Sequence, residues 1–407
     1  MNETTASPGT VAATITPAAA AAVFWQAVVV GAGPAGTATA WRLAAAGIRV
    51  LLVDRHAFPR GKVCGCCLSG RALEELCALG DGALPDAAVP LASVRLVHRG
   101  RTARLPLPAG RVVSRERLDE TLVRRAVVAG CQWLPATAVQ AIDDDVPGVA
   151  TLRLAAAVPA AIRSELIVIA TGLADHVRIG RAATSGRVVE PASRIGVGGI
   201  LPASACSLPR GELVMAVGRD GYCGIVRLED GRIDVAAALD RAAIGRDADA
   251  AATVAGLLHD AVGGRTGLVP DADLIRAASF RATPPLTRRA PLVAGGSRRI
   301  LRVGDAAGYV EPFTGEGIGW ALTSARILAD AAVAAQGLRP PAEMAARYHA
   351  AHRRELSAVH ARCRRVAGGL RRPAVVATAV AAARAVPWAA RRIVPVVIGG
   401  APGGGGR

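Results

Sequence analysis

A glycine-rich turn between two apolar strands constrains the fold of this chain more than any other segment. Residues 24–33, FWQAVVVGAG, predict a short buried strand, and the following residues predict a helix that ends at Gly47. A second apolar run, IRVLLVD, predicts a strand that ends at Asp54. Strand, glycine turn, helix and strand in this order predict a βαβ unit that binds a dinucleotide.

Each glycine of the turn has its own role in such a unit. Gly31 permits the tight turn, Gly33 lets backbone amides approach a pyrophosphate, and Gly36 permits close helix packing. The positive end of the helix dipole then faces the anion. Asp54 ends the second strand and is expected to accept hydrogen bonds from ribose hydroxyls. The predicted contact residues here are Gly31, Ala32, Gly33, Pro34, Ala35, Gly36, Asp54 and Arg55.

A second glycine-rich segment, ILRVGDAAGYVEPFTGEGIGWAL, indicates that the bound dinucleotide is a flavin and not a nicotinamide cofactor. It resembles the FAD-dependent oxidoreductase superfamily, which contains aromatic hydroxylases, geranylgeranyl reductases and flavin halogenases. The resemblance implies that Asp305 binds the ribityl chain of FAD and that the helix start lies at the flavin's pyrimidine edge. Helix N-terminal amides stabilise the negative charge of reduced flavin. The predicted contacts are Gly304, Asp305, Pro312, Gly315, Gly317 and Ile318.

The loop RHAFPRGKVCGCCLSG resembles the reductase and halogenase subgroup of that superfamily. The resemblance implies that Lys62, with Arg60, neutralises pyrophosphate or a second nucleotide, and that Cys64 lies near the flavin ring. Cys66 and Cys67 stand where the subgroup has small or acidic residues. Three hypotheses for these thiols stay open. They are reduced cysteines that pack in the interior, cysteines with a redox role or a place near the flavin, or ligands of a zinc ion. No second ligand pair has matching spacing, so no metal is predicted.

Two further positions resemble cofactor contacts of the superfamily. Arg115 leads SRERLDETLVRRA, which is similar to a family helix whose first arginine touches FAD, and the alternative is a surface arginine. Gly172 lies in IVIATG, where the family has an Asp-Gly pair that supports flavin and pyridine nucleotide. We expect Gly172 at the flavin. The chain has Ala170 and Thr171 before Gly172 in place of that pair, which argues against direct NAD(P)H binding, although NAD(P)H is kept as one candidate electron donor.

The expected fold is α/β, with a Rossmann-like FAD-binding domain, an inserted antiparallel β-sheet substrate domain and a helical C-terminus. Alternating apolar residues and the hairpin-like GYCGIVRLEDGRIDVAAAL predict the inserted sheet. The predicted divisions are a disordered leader (1–23), the FAD-binding domain (24–90, 113–190 and 291–340), the substrate domain (a hairpin at 91–112, then 191–290), and a helical C-terminal region with a flexible tail (341–407).

Several functions agree with these motifs. The leading hypothesis is an FAD-dependent monooxygenase acting on a small lipophilic substrate of polyketide or isoprenoid type. The alternatives are a reductase of isoprenoid double bonds, similar to geranylgeranyl reductases, and a non-enzymatic flavin-binding protein. The sheet lacks the Tyr- and Trp-rich pattern of geranylgeranyl reductases and also the Trp-containing pattern of tryptophan halogenases, and halogenation is disfavoured. Cys64 and Tyr222 are weak catalytic candidates, and a half-buried strand tyrosine is the alternative for Tyr222.

Charge and composition narrow the choice of partners. The net charge is +17, but aromatic residues make up only 3% of the chain, and no basic run alternates with stacking residues. Nucleic-acid binding is therefore not expected.

Residues 362–392 hold eight arginines and no acid, which fits either a peripheral contact with an anionic membrane surface or a solvated helical cap. The scattered cysteines and the absence of a basic leader predict a cytoplasmic protein, and the oligomeric state is not predicted.

Overall fold

The computed structural model of the chain describes residues 9–107, 109–155, 160–174, 177–180, 186–244, 249–263, 267–311, 313, 315–335, 338 and 341–386. Within them the helices are Pro17–Ala22, Pro34–Ala45, Gly70–Cys77, Arg115–Val128, Ala250–Val262, Ala272–Ala277, Gly317–Ala334, Pro341–Gly369 and Pro373–Ala385. Two short 3-10 turns lie at Ala203–Ala205 and Gly304–Ala307. Among the residues so described, no helix is long and apolar enough to cross a lipid bilayer.

A parallel sheet forms the centre of the nucleotide-binding domain. Its strands run side by side in the order Gln132–Leu134, Val50–Val53, Phe24–Val30, Ala161–Ile169 and Ser297–Arg302. Val139–Val146, Val149–Leu154, Arg178–Ile179 and Val293–Ala294 extend this sheet. Both faces of the parallel strands are covered, which explains why these strands are continuous apolar runs rather than alternating ones.

Three helices cover one face of the parallel sheet. Pro34–Ala45, Arg115–Val128 and Gly317–Ala334 contribute Leu43, Leu118 and Leu322, which pack against the odd-numbered residues of the first strand, such as Val29. Val28 and Val30 of the same strand point to the opposite face of the sheet. There they pack with residues of the strands Val139–Val146 and Val149–Leu154. Leu118, Leu122 and Ala126 recur at helical spacing, and they lie on the buried face of Arg115–Val128.

The substrate-side sheet has seven strands. Their order is Arg281–Pro285, Ile195–Leu201, Ile233–Leu239, Gly221–Arg227, Glu212–Val217, Ser93–His98 and Arg101–Pro106. The predicted hairpin is present, with Gly221 opposite Leu239 and Arg227 opposite Ile233. All neighbours are antiparallel except Ser93–His98 and Glu212–Val217, which run parallel. The sheet is therefore assembled from two separate chain segments that meet at one parallel junction.

Two helices cover one face of this sheet, and the other face packs against the nucleotide-binding domain and the helix Pro373–Ala385. Ala250–Val262 and Ala272–Ala277 pack on the face that holds Cys223, Ile225 and Val235. The opposite face holds Met215 and Tyr222. Two small sheets complete the strands, formed by Cys67–Ser69, Gly110–Val112 and Val89–Pro90, and by Val188–Val189, Arg288–Arg289 and Gly308–Tyr309.

The prediction of a disordered leader over residues 1–23 is wrong for residues 9–23. Val11 is buried, its N–H donates to the carbonyl of Phe58 at 3.0 Å, and its own carbonyl accepts from the indole of Trp133. The short helix Pro17–Ala22 is capped by the Thr16 side chain. An alanine-rich composition concealed these contacts, because small residues can pack closely as well as form linkers. Residues 1–8 lie outside the described part.

The helical C-terminus begins at Pro341, as predicted, and breaks at Pro373, which is the first residue of the next helix. Pro387, the glycine-rich tail and the arginines after Arg384 lie outside the described residues. Arg362 is paired with Glu316, and Arg364 with Glu190. For these arginines the structure favours a helical cap held by ion pairs, and membrane contact stays a prediction.

Candidate functional site

A cavity of about 500 Å³ lies between the glycine turn and the seven-stranded sheet. Its wall contains twelve of the predicted cofactor residues, namely Gly31, Gly33, Pro34, Asp54, Arg55, Lys62, Cys64, Arg115, Asp305, Gly315, Gly317 and Ile318. Ala32, Ala35, Gly36, Gly172 and Gly304 are not part of the wall, and Pro312 lies outside the described residues. Segments far apart in the sequence therefore converge on one cleft, as the superfamily resemblance implied.

Gly33 forms the N-terminal end of the helix Pro34–Ala45, and no side chain caps its amides. A Cβ placed on Gly33 would lie 3.8 Å from a terminal nitrogen of Arg115 and 4.0 Å from one of Arg60. Free helix amides and two guanidinium groups therefore surround the same point. This arrangement fits a pyrophosphate, which needs hydrogen-bond donors and positive charge.

The other two glycines are required by the protein itself. Gly31 has a φ of +103°, and a Cβ there would lie 2.5 Å from the carbonyl oxygen of Ala170. A Cβ on Gly36 would overlap the carbonyl oxygen of Gly31. The predicted tight turn and close helix packing are thus both present, and only Gly33 leaves space for a ligand.

Asp54 holds the backbone of the glycine turn in place by a hydrogen bond. Its Oδ2 accepts a hydrogen bond from the N–H of Ala32 at 2.7 Å, and its Oδ1 accepts one from the N–H of His56 at 2.9 Å. Arg60 lies 3.8 Å from the same carboxylate. Asp54 also borders the cavity. The structure therefore gives this acid a role that the sequence did not predict, which is to fix the turn that presents Gly33.

Arg115 is buried, so the alternative of a surface arginine is wrong. Its Nε donates to Oδ1 of Asp119 at 2.9 Å and its Nη2 to Oδ2 at 2.8 Å, a two-pronged ion pair one helical turn apart. Arg60 lies 3.8 Å from Asp119 as well. Asp119 was missed from the sequence, although its i+4 spacing from Arg115 on a predicted helix was a usable signal.

The side chains of Lys62 and Asp305 both approach Gly172. A Cβ on Gly172 would lie 3.2 Å from the Nζ of Lys62 and 3.9 Å from Oδ2 of Asp305. Burial raises the pKa of Asp305, and Lys62 and Arg115 oppose that rise. Burial also lowers the pKa of Lys62, and Arg115 lowers it further. The loop and the second glycine-rich segment therefore bring a polar pair to the wall of the cavity.

The two weak catalytic candidates lie on different walls. Cys64 lines the cavity on the loop side, and Tyr222 lines it on the sheet side. The ring of Tyr222 meets Phe313 edge-on at 5.0 Å, and the guanidinium of Arg194 lies over it at 5.4 Å. Burial raises the pKa of the Tyr222 hydroxyl. Tyr222 lies in the strand Gly221–Arg227, but it is buried and not half-buried as expected, and it borders the cavity. A catalytic role for Tyr222 stays a prediction.

Most of the sheet-side wall is apolar. It contains Leu213, Met215, Gly224, Ala236, Ala238 and Leu286 in addition to Tyr222.

The sequence did not predict one carboxylate that links the sheet to the nucleotide-binding domain. Glu229, in the hairpin turn, accepts from the N–H of Ser114 at 2.9 Å and from its hydroxyl at 2.6 Å. No local signal marks this contact, because the two residues are 115 positions apart.

Comparisons with known proteins agree with this geometry. An FAD binding domain family matches residues 25–218. Menaquinone reductase of Mycolicibacterium smegmatis is 30% identical over 331 residues, which cover 74% of this chain and 75% of that protein. Geranylgeranyl diphosphate reductase of Rhodobacter capsulatus is 37% identical over 118 residues, 28% of each chain.

A solved structure extends the likeness over most of the chain. A peptidyl tryptophan dihydroxylase shares 26% identity, with a TM-score of 0.64 over 86% of this chain and 75% of that one. The predicted superfamily and fold class are therefore confirmed, and so is the expectation of an FAD-binding domain. The chain belongs to the FAD-dependent oxidoreductase superfamily.

Proposed function

We propose that the chain reduces a carbon–carbon double bond of a lipophilic, prenyl-bearing substrate with electrons from FAD. The observation that carries the lipophilic substrate is the division of the cavity, and the likeness to two reductases carries the choice of reduction. Gly33, Arg115 and Asp305 lie on one side, and the apolar side chains of Leu213 and Met215 lie on the other. Two reductases among the relatives, of menaquinone and of geranylgeranyl diphosphate, support it.

The proposed cofactor contacts follow from the donors that the residues offer. Gly33 with Arg60 and Arg115 would hold the pyrophosphate, and Asp54 would receive the adenosine ribose. Asp305 would accept from the ribityl hydroxyls, and the amides at Gly315–Gly317 would lie at the flavin ring. Reduced FAD supplies a hydride when bound, after an external two-electron donor, for which NAD(P)H is a candidate, has reduced it. The chain must then supply one proton and exclude water.

Oxygen transfer is the second candidate, because the dihydroxylase structure matches most of the chain at 26% identity. A dry apolar cavity serves oxygen transfer as well as reduction. The two reactions differ in the balance of atoms. Both consume two electrons from the donor. Reduction adds a hydride and a proton across the double bond, whereas oxygenation adds one oxygen atom of O₂ and releases the other as water.

The mass of the product distinguishes these reactions. We expect the purified protein, reduced with dithionite without oxygen, to convert a prenylated naphthoquinone into a product with two additional hydrogens in its side chain. The assay oxidises the quinone ring again before mass spectrometry, so that only side-chain reduction is counted. A product that forms only in air and carries one added oxygen would support the second candidate against the first.

A variant of the apolar wall tests where the substrate lies. Ala236 borders the cavity and is half-buried. Because Leu at this position would fill part of the substrate space, we expect Ala236→Leu to lower kcat/KM roughly 10- to 200-fold. The flavin absorption spectrum and the amount of bound FAD serve as the control and are expected to stay unchanged.

A further inference from the structure

A phenol hydroxyl interrupts the apolar sheet-side wall of the cavity. Tyr222 belongs to the strand Gly221–Arg227 and is only 5% exposed, and the same wall contains Leu213 and Met215. The proposed function uses this wall to hold a lipophilic substrate and assigns no role to the hydroxyl.

Among the described residues, no group donates to or accepts from the hydroxyl of Tyr222. A buried tyrosine hydroxyl usually has a partner. Tyr348 is an example in this chain, because its hydroxyl donates to the carbonyl oxygen of Arg302 at 2.7 Å. The Tyr222 oxygen is also not one of the fully enclosed oxygen and nitrogen atoms that lack a partner in the described part of the chain. It therefore keeps some accessible surface, and the space that Tyr222 borders is the cavity.

The ring of Tyr222 is held from two sides. Phe313 meets it edge-on with the ring centroids 5.0 Å apart, and the guanidinium carbon of Arg194 lies 5.4 Å from its centroid. Arg194 is itself fixed, because its Nη1 donates to Oε1 of Glu311 at 2.9 Å and its Nε to Oδ1 of Asp240 at 3.2 Å. The direction of the Tyr222 C–O bond is therefore set before a ligand binds, which lowers the entropy that binding costs.

The hydroxyl is a neutral donor. Burial raises the pKa of Tyr222, Glu311 raises it further and Arg194 opposes the rise, so the phenol keeps its proton near neutral pH. The two cations that act on Tyr222 are Arg194 and Arg371, and both donate to the carboxylate of Asp240. The surroundings of the hydroxyl therefore do not offer the free positive charge that a phosphate group needs.

The cations that line the cavity belong to other parts of its wall. They are Arg55, Arg60, Lys62, Arg115 and Arg281. All but Arg281 belong to the nucleotide-binding domain, and two strands of the sheet separate Arg281 from the strand that holds Tyr222. A phenol donor in an apolar wall suits a neutral acceptor, such as a carbonyl oxygen, on an otherwise apolar ligand.

We propose that the hydroxyl of Tyr222 donates a hydrogen bond to a neutral oxygen atom of the substrate, of the kind that a ring carbonyl offers. The inference rests on the proposed function for the place of the substrate on the apolar wall. A site with a buried donor rejects a ligand that lacks the acceptor, because the donor then stays unpaired. Tyr222 thus acts as a specificity residue, and no covalent bond forms or breaks at its oxygen.

Two probes with the same carbon skeleton test this role. They are 2,3-dimethyl-1,4-naphthoquinone, whose methylated ring positions do not add to thiols, and 2,3-dimethylnaphthalene, which has no oxygen. Equilibrium dialysis against the oxidised, FAD-loaded protein without an electron donor gives the Kd of each probe and needs no turnover. We expect Tyr222→Phe to lose about 3- to 10-fold in affinity for the quinone and to lose none for the hydrocarbon. Phe keeps the ring contacts, and the FAD content and thermal unfolding of the variant verify its fold.

Two further variants serve as controls. Met215→Leu changes the same wall without adding or removing a donor, and it should leave the ratio of the two affinities unchanged. Tyr309 also borders the cavity, so Tyr309→Phe tests whether the other phenol is the donor. An unchanged ratio in Tyr222→Phe would overturn the proposal, and so would a quinone-specific loss found only in Tyr309→Phe or no quinone binding by the native protein.

The dialysis result does not depend on the proposed reaction. A protein whose quinone affinity depends on Tyr222, but which forms no hydrogenated product, refutes the proposed reaction and leaves the role of Tyr222 in place. A protein that forms the product, but whose quinone affinity is the same in Tyr222→Phe, keeps the reaction and refutes the role of Tyr222.

Discussion

The variant Gly33→Val is expected to fold normally and to bind FAD at least about 100-fold more weakly, which corresponds to roughly 2.7 kcal/mol of binding free energy. Gly33 has an ordinary φ of −75°, and its Cβ position meets only the ends of two arginine side chains, at 3.8 and 4.0 Å. The added methyl groups therefore cost the fold little, but they occupy the space proposed for the pyrophosphate. Fluorescence titration with FAD measures the affinity, and thermal unfolding of the apoprotein measures the fold.

Gly36→Ala is the matched comparison, since it is a smaller change three residues away. The new Cβ would overlap the carbonyl oxygen of Gly31, which is backbone and has no room to move without displacing the turn. We expect this variant to be strongly destabilised even without flavin. Full FAD affinity in Gly33→Val would mean that the glycine turn does not hold the pyrophosphate, and native stability in Gly36→Ala would contradict the close helix–strand contact.

Replacing Arg115 with Leu should affect both stability and cofactor binding. The variant leaves Asp119 fully buried without its two-pronged ion pair, although Arg60 remains 3.8 Å away. Breaking a buried ion pair by removing one partner costs about 3–5 kcal/mol of unfolding free energy. FAD affinity should also fall, because one of the two guanidinium groups beside Gly33 is lost. Urea unfolding of the apoprotein and FAD titration measure the two effects separately.

Two control variants separate the loss of stability from the loss of FAD affinity. Arg124→Leu breaks an exposed pair with Glu120 on the same helix and should cost less than about 1 kcal/mol. The double variant Arg115→Leu with Asp119→Leu removes both buried charges and should recover most of the stability, since apolar pairs replace buried ion pairs well. Its FAD affinity should stay low. If the double variant regained FAD affinity, Arg115 would act only through the fold and not on the cofactor.

The sequence predicted those parts of the fold that depend on local periodicity and turn chemistry. The βαβ unit, the helix Arg115–Val128 and the hairpin over 221–239 were all recognisable, because each is specified by residues within one short segment. The parallel junction between Ser93–His98 and Glu212–Val217 was not, because it joins segments more than a hundred residues apart and no turn specifies it.

The candidate site was predicted to a similar degree. Motifs carried by one segment, such as Gly31–Gly36, were found, and the superfamily resemblance implied that Asp305 and Arg115 join them at one cleft. The supporting contacts were not predicted. The bond from Asp54 to the Ala32 amide and the ion pair of Arg115 with Asp119 depend on where side chains point after folding. The buried residues 9–23 escaped prediction because their composition resembles that of a linker.

The flavin bound by the purified protein tests the central claim most directly. An anion site at Gly33, flanked by Arg60 and Arg115, suits the pyrophosphate of FAD, whereas FMN carries a single phosphate and no adenosine. The protein is saturated with a mixture of FAD and FMN, separated from free flavin and denatured by heat, and the released flavin is identified by chromatography. We predict FAD, at about one molecule per chain as expected for a single βαβ pyrophosphate site. Release of FMN, or of no flavin, would contradict the assignment of the cleft.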